Sequence, residues 1–425
     1  MQHVVIGAGP AGVIAAEALK KMDPAAGVMV IGDEPEPPYS RMALPYYLIK
    51  QVDEAGTYLR KDANHFASLG IDLRQDRVQA VDPASHTLTL ASGGTQGYDK
   101  LLIATGSTPV RPPIPGMDLE GVHSCWTLAD GRHIAAAAKP GAKVVLMGAG
   151  FIGCIILEAL ARSGADLTVV EMGDRMVPRM MNDIAGNMIK RWCADKGVKV
   201  HTSTSVQSIE QGGADGRRFA VSLSNGEVLS ADLVVSATGV RPNLAFLADA
   251  GLETNSGLLI NEHMQTSNPD IFAAGDVAEG RDFSTGDYSV MAIQPTAAEH
   301  AQLAARNMAG HTGAIHRGTV NMNVLDTLGL ISSSFAMWMG VDGGDAAELV
   351  NEDRFRYLNL QFEEDVLVGA TSLGLTQHVG VLRGLIQSRV RLGEWNKRLM
   401  EDPTRIMEAY LAKTQALGFN AAVFR

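Results

Sequence analysis

The sequence predicts an α/β fold with two parallel strand–turn–helix–strand units, followed by a C-terminal α+β domain that ends in a helical tail. Three observations carry this expectation. A short apolar run, His3–Ile6, enters Gly7-Ala8-Gly9-Pro10-Ala11-Gly12, and the helix-like stretch Val13–Lys20 leads to a second apolar run at Val28–Ile31. The same order recurs as strand Lys143–Met147, turn Gly148-Ala149-Gly150-Phe151-Ile152-Gly153, helix Ile155–Arg162 and strand Leu167–Val170. From Val320 onward the texture changes. Val320, Met322 and Val324, and later Leu358, Leu360 and Phe362, alternate with polar residues, which is the period of half-buried antiparallel strands.

Each glycine turn follows a strand and opens a helix, the setting in which its chemistry is defined. The first glycine permits a tight bend, the second lets the main chain approach a pyrophosphate, and the third lets helix and strand pack closely. The free N–H groups and dipole of the helix N-terminus favour the anion. An acidic residue about 20 positions on takes the ribose hydroxyls. Asp33 or Glu34 stands there in the first unit and Glu171 in the second. Two such units imply two Rossmann-like dinucleotide-binding domains.

Pro/Gly-rich joints divide the rest. Pro109–Gly116 leaves the first domain and Ala237–Asn243 returns to it. The expected organisation is a first domain in two segments, 1–113 and 240–315, a second domain at 114–239, and a C-terminal domain at 316–425. In the tail, Asp402 is the expected N-cap, Pro403 the first helical residue and Gly418 the stop, with Met407, Tyr410, Leu411, Thr414 and Leu417 on the apolar face.

Composition narrows the class. The 425 residues carry a net charge of −11, which argues against a nucleic-acid binder or a protein held on acidic lipid. No apolar run approaches the roughly 20 residues needed to span a bilayer. Gln2–Gly7 reads as a strand entering a turn and not as a signal peptide, so a cytoplasmic location is expected. The three cysteines, Cys125, Cys154 and Cys193, are scattered and cannot supply the four thiolates of a typical iron–sulfur cluster. No metal site is expected.

With these motifs the chain resembles the FAD-dependent pyridine nucleotide–disulfide oxidoreductase superfamily. The nearest texture is that of NADH-dependent rubredoxin and ferredoxin reductases and the flavin part of NADH nitrite reductase. The NADH-coupling flavin subunit of a larger complex, such as phenylglyoxylate dehydrogenase, is of the same kind. The resemblance implies FAD at Gly7, Gly9, Pro10, Ala11 and Gly12, with Asp33 and Glu34 at the adenosine ribose and Arg41 and Val78 as further contacts. It implies that Ala104-Thr105-Gly106 closes the first FAD segment and that Thr266–Asp276 is the second FAD fingerprint, with Gly275 and Asp276 at the ribityl chain. Backbone at Pro295 and Thr296, opening a helix beside the flavin, completes that set, while His300 farther along reads as structural. NADH is implied at Gly148, Gly150, Phe151, Ile152, Gly153 and Gly239, with Glu171 favouring a free 2′-hydroxyl over a 2′-phosphate. Arg175, four residues on, is the cation that could oppose that preference.

Three departures from the family carry information. Met42 stands where many relatives have a redox cysteine, and a thioether forms no thiolate or disulfide. Tyr46 and Ile155 stand where ferredoxin-reductase-like relatives pair a lysine with a glutamate. No catalytic acid, base or nucleophile is assigned, because the cofactors supply the redox chemistry. The expected function is hydride transfer from NADH to FAD and onward passage of electrons to a redox protein or iron–sulfur partner subunit, by a chain that acts alone, as a homo-oligomer or within a multi-subunit complex. The alternatives are an NADH oxidase acting directly on oxygen or a small molecule, and an FAD-binding protein with a structural or signalling role. Arg383, Arg389, Arg391, Lys397 and Arg398 crowd one stretch that only Glu394 opposes, so this stretch is expected to steer an acidic acceptor; a solvated helix face or a subunit contact is the alternative.

Overall fold

A computed structural model describes the backbone of residues 1–423 and the side chains through Thr414. The chain forms two compact units, each drawn from two stretches: Met1–Val110 with Val240–Thr319, and Arg111–Gly239 with the chain from Val320 onward. No helix among the described residues is long and apolar enough to cross a membrane.

The first unit is built on a five-stranded parallel sheet. Its order is Ile271–Ala273, Lys100–Ile103, Gln2–Ile6, Gly27–Gly32, Ile71–Gln75. Strands covered on both faces need continuous apolar runs. Val4, Val5, Val30, Leu101, Leu102, Ile103 and Ile271 accordingly lie at the centre of the core. The helices Pro10–Met22 and Gln294–Met308 pack against each other on this sheet. A three-stranded antiparallel meander follows at Val78–Asp82, Thr87–Leu90 and Thr95–Gly97. The outgoing and returning passes of the chain, Ser107–Pro109 and Val240–Pro242, pair antiparallel with each other.

The second unit repeats the parallel sheet. Its order is Lys199–His201, Asp166–Val170, Lys143–Met147, Leu233–Ser236, Val122–Ser124. The C-terminal part adds a five-stranded antiparallel sheet in the order Met322–Thr327, Leu330–Ala336, Val366–Leu373, Arg356–Glu363, Asp345–Asn351. Leu358, Leu360 and Phe362 are buried as the alternation predicted.

Two local expectations are corrected. In Met322–Thr327 the buried face carries Leu325 and Thr327, whereas Val324 is 47% exposed. That strand packs on the helix Phe151–Arg162, and a period-2 pattern with apolar residues on both faces takes its register from such a neighbour. In the tail, Asp402 Oδ1 accepts the Thr404 amide at 3.0 Å and caps the short turn Pro403–Arg405. The helix Ile406–Val423 then continues through Gly418, the expected stop. Its buried face centres on Ile406 and Ala409, while Leu411 is exposed. The Leu417 side chain lies outside the described residues.

Candidate functional site

In the first unit the glycine turn is shaped by steric exclusion. Gly7 adopts φ +112°, and a Cβ there would lie 2.2 Å from the Ala104 carbonyl oxygen. A Cβ on Gly12 would lie 1.9 Å from the Gly7 carbonyl oxygen. Gly9 has nothing within 4 Å of its Cβ position, so its open face is the one a ligand could approach. The helix starting at Pro10 has no side-chain cap at Gly9, which leaves its first N–H groups for another acceptor. Gly148, Gly150 and Gly153 repeat this pattern. A Cβ would lie 2.6 Å from the Ala237 oxygen at Gly148 and 2.2 Å from the Gly148 oxygen at Gly153, and Gly150 is open. The helix Phe151–Arg162 is also uncapped, whereas Thr127 and Asn182 cap the helices Leu128–Ala137 and Asp183–Asp195.

Other predicted residues of the first unit converge on its turn. Gly275 adopts φ +77°, and a Cβ there would lie 3.4 Å from the Cβ atoms of both Ala11 and Ala297. Next to it, Asp276 accepts the Ser107 hydroxyl at 2.8 Å. Burial pushes the Asp276 carboxyl above the ordinary range, opposed by that hydroxyl and by the Arg41 guanidinium. Arg41 donates to the Ser107 carbonyl at 3.4 Å and pairs with Glu34 at 2.7 Å. Glu34 also accepts the Tyr39 hydroxyl. Asp33 is more open and lies 3.3 Å from Arg77. The Thr105–Gly106 corner is held by Asn243, whose Nδ2 donates to the Thr105 oxygen at 2.8 Å and whose amide donates to the Gly106 oxygen at 3.0 Å. Asn243 carried no signal in the sequence beyond its place in the returning joint. Thr296 is buried and Pro295 exposed at the start of the helix Gln294–Met308. The Val78 side chain belongs to the core, which leaves only its main chain for a ligand.

In the second unit, Glu171 uses both carboxylate oxygens on backbone. Oε2 accepts the Ala149 amide of the glycine turn at 2.6 Å, and Oε1 accepts the Gly173 amide at 2.7 Å. Phe151 and Ile152 are half-buried behind the turn. Gly239, φ +110°, has open space at its Cβ position.

The remaining polar candidates have structural surroundings. His300 is 3% exposed and meets His316 edge-on at 5.0 Å, and burial pushes its imidazole down to about 3. Burial raises the Cys125 and Cys193 thiols to about 12 and also pushes the Cys154 thiol well above its ordinary value. Met42 and Tyr46 are exposed. The basic stretch near the C-terminus is less basic than its local sequence. Arg391 lies 2.7 Å from Glu364 and 3.0 Å from Asp365, so carboxylates other than Glu394 oppose it.

An uncapped helix start over an open glycine suits a pyrophosphate, and a half-buried carboxylate beside it suits a polyol. The residues present fit a flavin dinucleotide in the first unit and a nicotinamide dinucleotide in the second. Together, the two parallel units and paired turns define a protein of the two-dinucleotide redox class. The chain belongs to the pyridine nucleotide–disulphide oxidoreductase family, whose profile matches residues 1–306. It is an oxidoreductase with FAD and NADH as its cofactors. It is 30% identical over 416 residues to the NADH-dependent phenylglyoxylate dehydrogenase subunit epsilon of Aromatoleum evansii, covering 97% of this chain and 98% of that one. A probable ferredoxin reductase of Castellaniella defragrans is 34% identical, over 72% of this chain and 75% of its own. In fold the chain matches putidaredoxin reductase from the covalent putidaredoxin reductase–putidaredoxin complex, with a TM-score of 0.87 at 23% identity, covering 97% of this chain and 99% of that one.

Proposed function

We propose that this chain is an NADH-dependent flavoprotein reductase that passes electrons to a separate redox protein or to an iron–sulfur-bearing partner subunit. In this reading FAD is held by Gly7–Gly12, Arg41, Ala104–Gly106 and Gly275–Asp276, and NADH by Gly148–Gly153, Glu171 and Gly239. The observation that carries it is the repeated turn: in both units the outer glycines are sterically obligatory, the middle one is open, and the helix start behind it is uncapped. The near end-to-end match to a subunit of an NADH-dependent dehydrogenase supports a partner acceptor. A cytoplasmic location goes with a supply of NADH.

A bound flavin supplies the ability to take a hydride and release electrons singly. The chain's own residues bind and orient. The helix start at Pro10 holds phosphate, Asp276 holds polyol hydroxyls, and Glu171 fixes the second turn and takes ribose hydroxyls. No side chain is required to move a proton for the hydride step. The exposed Met42 and the buried thiols leave no nucleophile for disulfide or peroxide chemistry.

The test is anaerobic stopped-flow mixing of the purified yellow protein with NADH, followed by addition of a ferredoxin or rubredoxin. The flavin should bleach with NADH and recolour with the redox protein faster than with air. Absence of bleaching refutes the reductase reading, and recolouring only with oxygen refutes the partner acceptor.

A further inference from the structure

A strained residue is bonded to the second glycine turn. Val177 is buried and adopts φ +50°, in the left-handed region that a β-branched side chain rarely enters. Its amide donates to the Ala149 carbonyl of the turn at 2.9 Å, and its own carbonyl accepts the Met180 and Met181 amides at 2.9 and 3.0 Å. Such a backbone persists only where its surroundings over-determine it. Asn182, next along the chain, is held on two sides. Its Oδ1 accepts the Ala185 amide at 3.1 Å and caps the helix Asp183–Asp195, which leaves Nδ2 to donate to the Tyr357 hydroxyl at 2.5 Å. Tyr357 comes from the C-terminal antiparallel sheet and is fully buried. Its hydroxyl donates in turn to Glu348 Oε1 on the neighbouring strand at 2.5 Å, and Asn359 Nδ2 donates to the same oxygen at 3.3 Å. Burial, and then Glu348, pushes the Tyr357 hydroxyl above its ordinary range, so it stays a donor to the carboxylate and an acceptor for Asn182.

We propose that Tyr357 is a positioning residue for the nucleotide: through Asn182 it braces residues 177–182, and through Val177 that stretch holds Ala149 of the glycine turn in its binding shape. This deepens the proposed function and rests on its assignment of NADH to the second unit. The effect is on ordering cost. Without the brace the stretch can relax its strain in the free protein, and a nucleotide that binds must restore the turn each time. The loss therefore falls on affinity and not on the hydride step, in which no atom of this network takes part. The sheet itself stays docked without Tyr357. At the far end of the same helix, Arg191 lies 3.0 Å from Glu352, Trp192 donates to the Leu328 carbonyl at 3.2 Å, and its ring meets Phe355 edge-on at 5.0 Å. Arg191 thus joins the same helix and sheet by a route that bypasses Val177.

The experiment uses the FAD-loaded protein, comparing wild type, Tyr357→Phe, Asn182→Ser, the two combined, and Arg191→Gln. Serine keeps an oxygen for the helix cap and is too short to reach Tyr357. The readouts are calorimetric binding of NAD and the separate KM and kcat for NADH in dye reduction. Tyr357→Phe and Asn182→Ser should each weaken NAD binding and raise KM about two- to tenfold, the range of one neutral hydrogen bond, with kcat unchanged. The combined variant should be no worse than either single one, because both remove the same bond. Arg191→Gln should bind NAD as wild type does. Unchanged binding in the single variants, an additive loss in the combined one, or an equal loss in Arg191→Gln overturns the brace. Should Tyr357→Phe fail to fold, Asn182→Ser against Arg191→Gln decides the matter in the same way. Gly150→Val separates this failure from failure of the underlying assignment, because its Cβ enters open space at an extended backbone. If NADH still reduces the flavin of Gly150→Val, the nucleotide assignment falls and the brace with it. If reduction is lost there while Tyr357→Phe and Asn182→Ser bind NAD normally, only the brace falls.

Discussion

Asp276 gives the sharpest separation between a binding group and a structural one. Its carboxylate is half-buried and has one hydroxyl donor, Ser107 at 2.8 Å. In the proposed site its free lone pairs take hydroxyls of the ribityl chain. Replacing Asp276 by Asn removes a charge-assisted hydrogen bond worth about 1.5–3 kcal/mol, so FAD should bind roughly 10- to 150-fold more weakly. The flavin-free protein should respond in the opposite sense. Burial holds the folded carboxyl above its ordinary range, so the folded state binds the proton more tightly than the unfolded chain. Stability of the flavin-free wild type therefore falls as pH rises from the ordinary carboxylate range through the raised value, and that penalty persists at neutral pH. Asn carries no charge to desolvate, so the flavin-free variant should melt higher than wild type at pH 7 and lose this pH dependence. The assay is flavin titration of the stripped protein together with thermal unfolding from pH 4 to 8. Unchanged FAD affinity refutes the assignment of Asp276 to the cofactor. A loss of affinity with a fall in the flavin-free melting temperature shows instead that Asp276 is a structural turn residue acting indirectly.

Two further outcomes follow from buried titratable groups. His300 is depressed to about 3, so the unfolded chain binds a proton that the folded chain refuses between about pH 6.5 and 3, and this contribution to stability is lost as pH falls through that window; His300→Gln should flatten the slope by up to about 1.4 kcal/mol per pH unit, measured by denaturant titration, and an unaltered slope would show the ring is accessible. Iodoacetamide at pH 8 should leave Cys125, Cys154 and Cys193 unmodified in the native protein and NADH-dependent dye reduction intact, and rapid labelling with loss of dye reduction but retention of flavin would reveal a working thiol.

What was legible in the sequence was enforced locally. The outer glycines of each turn are dictated by backbone oxygens within 2.6 Å of a missing Cβ, so no other residue fits, and the motif and the contact carry the same information. The unbroken apolar runs at Val4–Ile6 and Leu101–Ile103 reflect strands covered on both faces. What was not legible depended on residues far along the chain. The face of Met322–Thr327 is chosen by a helix that begins at Phe151, and both faces of the strand carry apolar residues, so alternation alone misplaces Val324. The charge count around Arg391 missed Glu364 and Asp365 because they reach it from an earlier hairpin. Asn243 braces the Thr105–Gly106 corner from 138 positions away, which no motif spacing reports.

The two glycine turns share their steric design but not the use of their acids, and this difference has a physical reading. In the first unit Glu34 is engaged by side chains, Arg41 and Tyr39, and leaves the turn backbone alone. In the second, Glu171 accepts the turn amide of Ala149 directly, and the carbonyl of the same residue accepts the Val177 amide at 2.9 Å. The second turn is thus fixed through both main-chain groups of Ala149 before any nucleotide arrives. A cofactor that stays bound through many turnovers can order its own surroundings once, at assembly. A nucleotide that binds and leaves on every turnover meets any ordering cost each time, and a cradle already held in shape removes that recurring cost. On this argument the unit with the pre-fixed turn is the one suited to an exchanging substrate. That is the same division of labour, FAD resident in the first unit and NADH exchanging in the second, that the family resemblance implies.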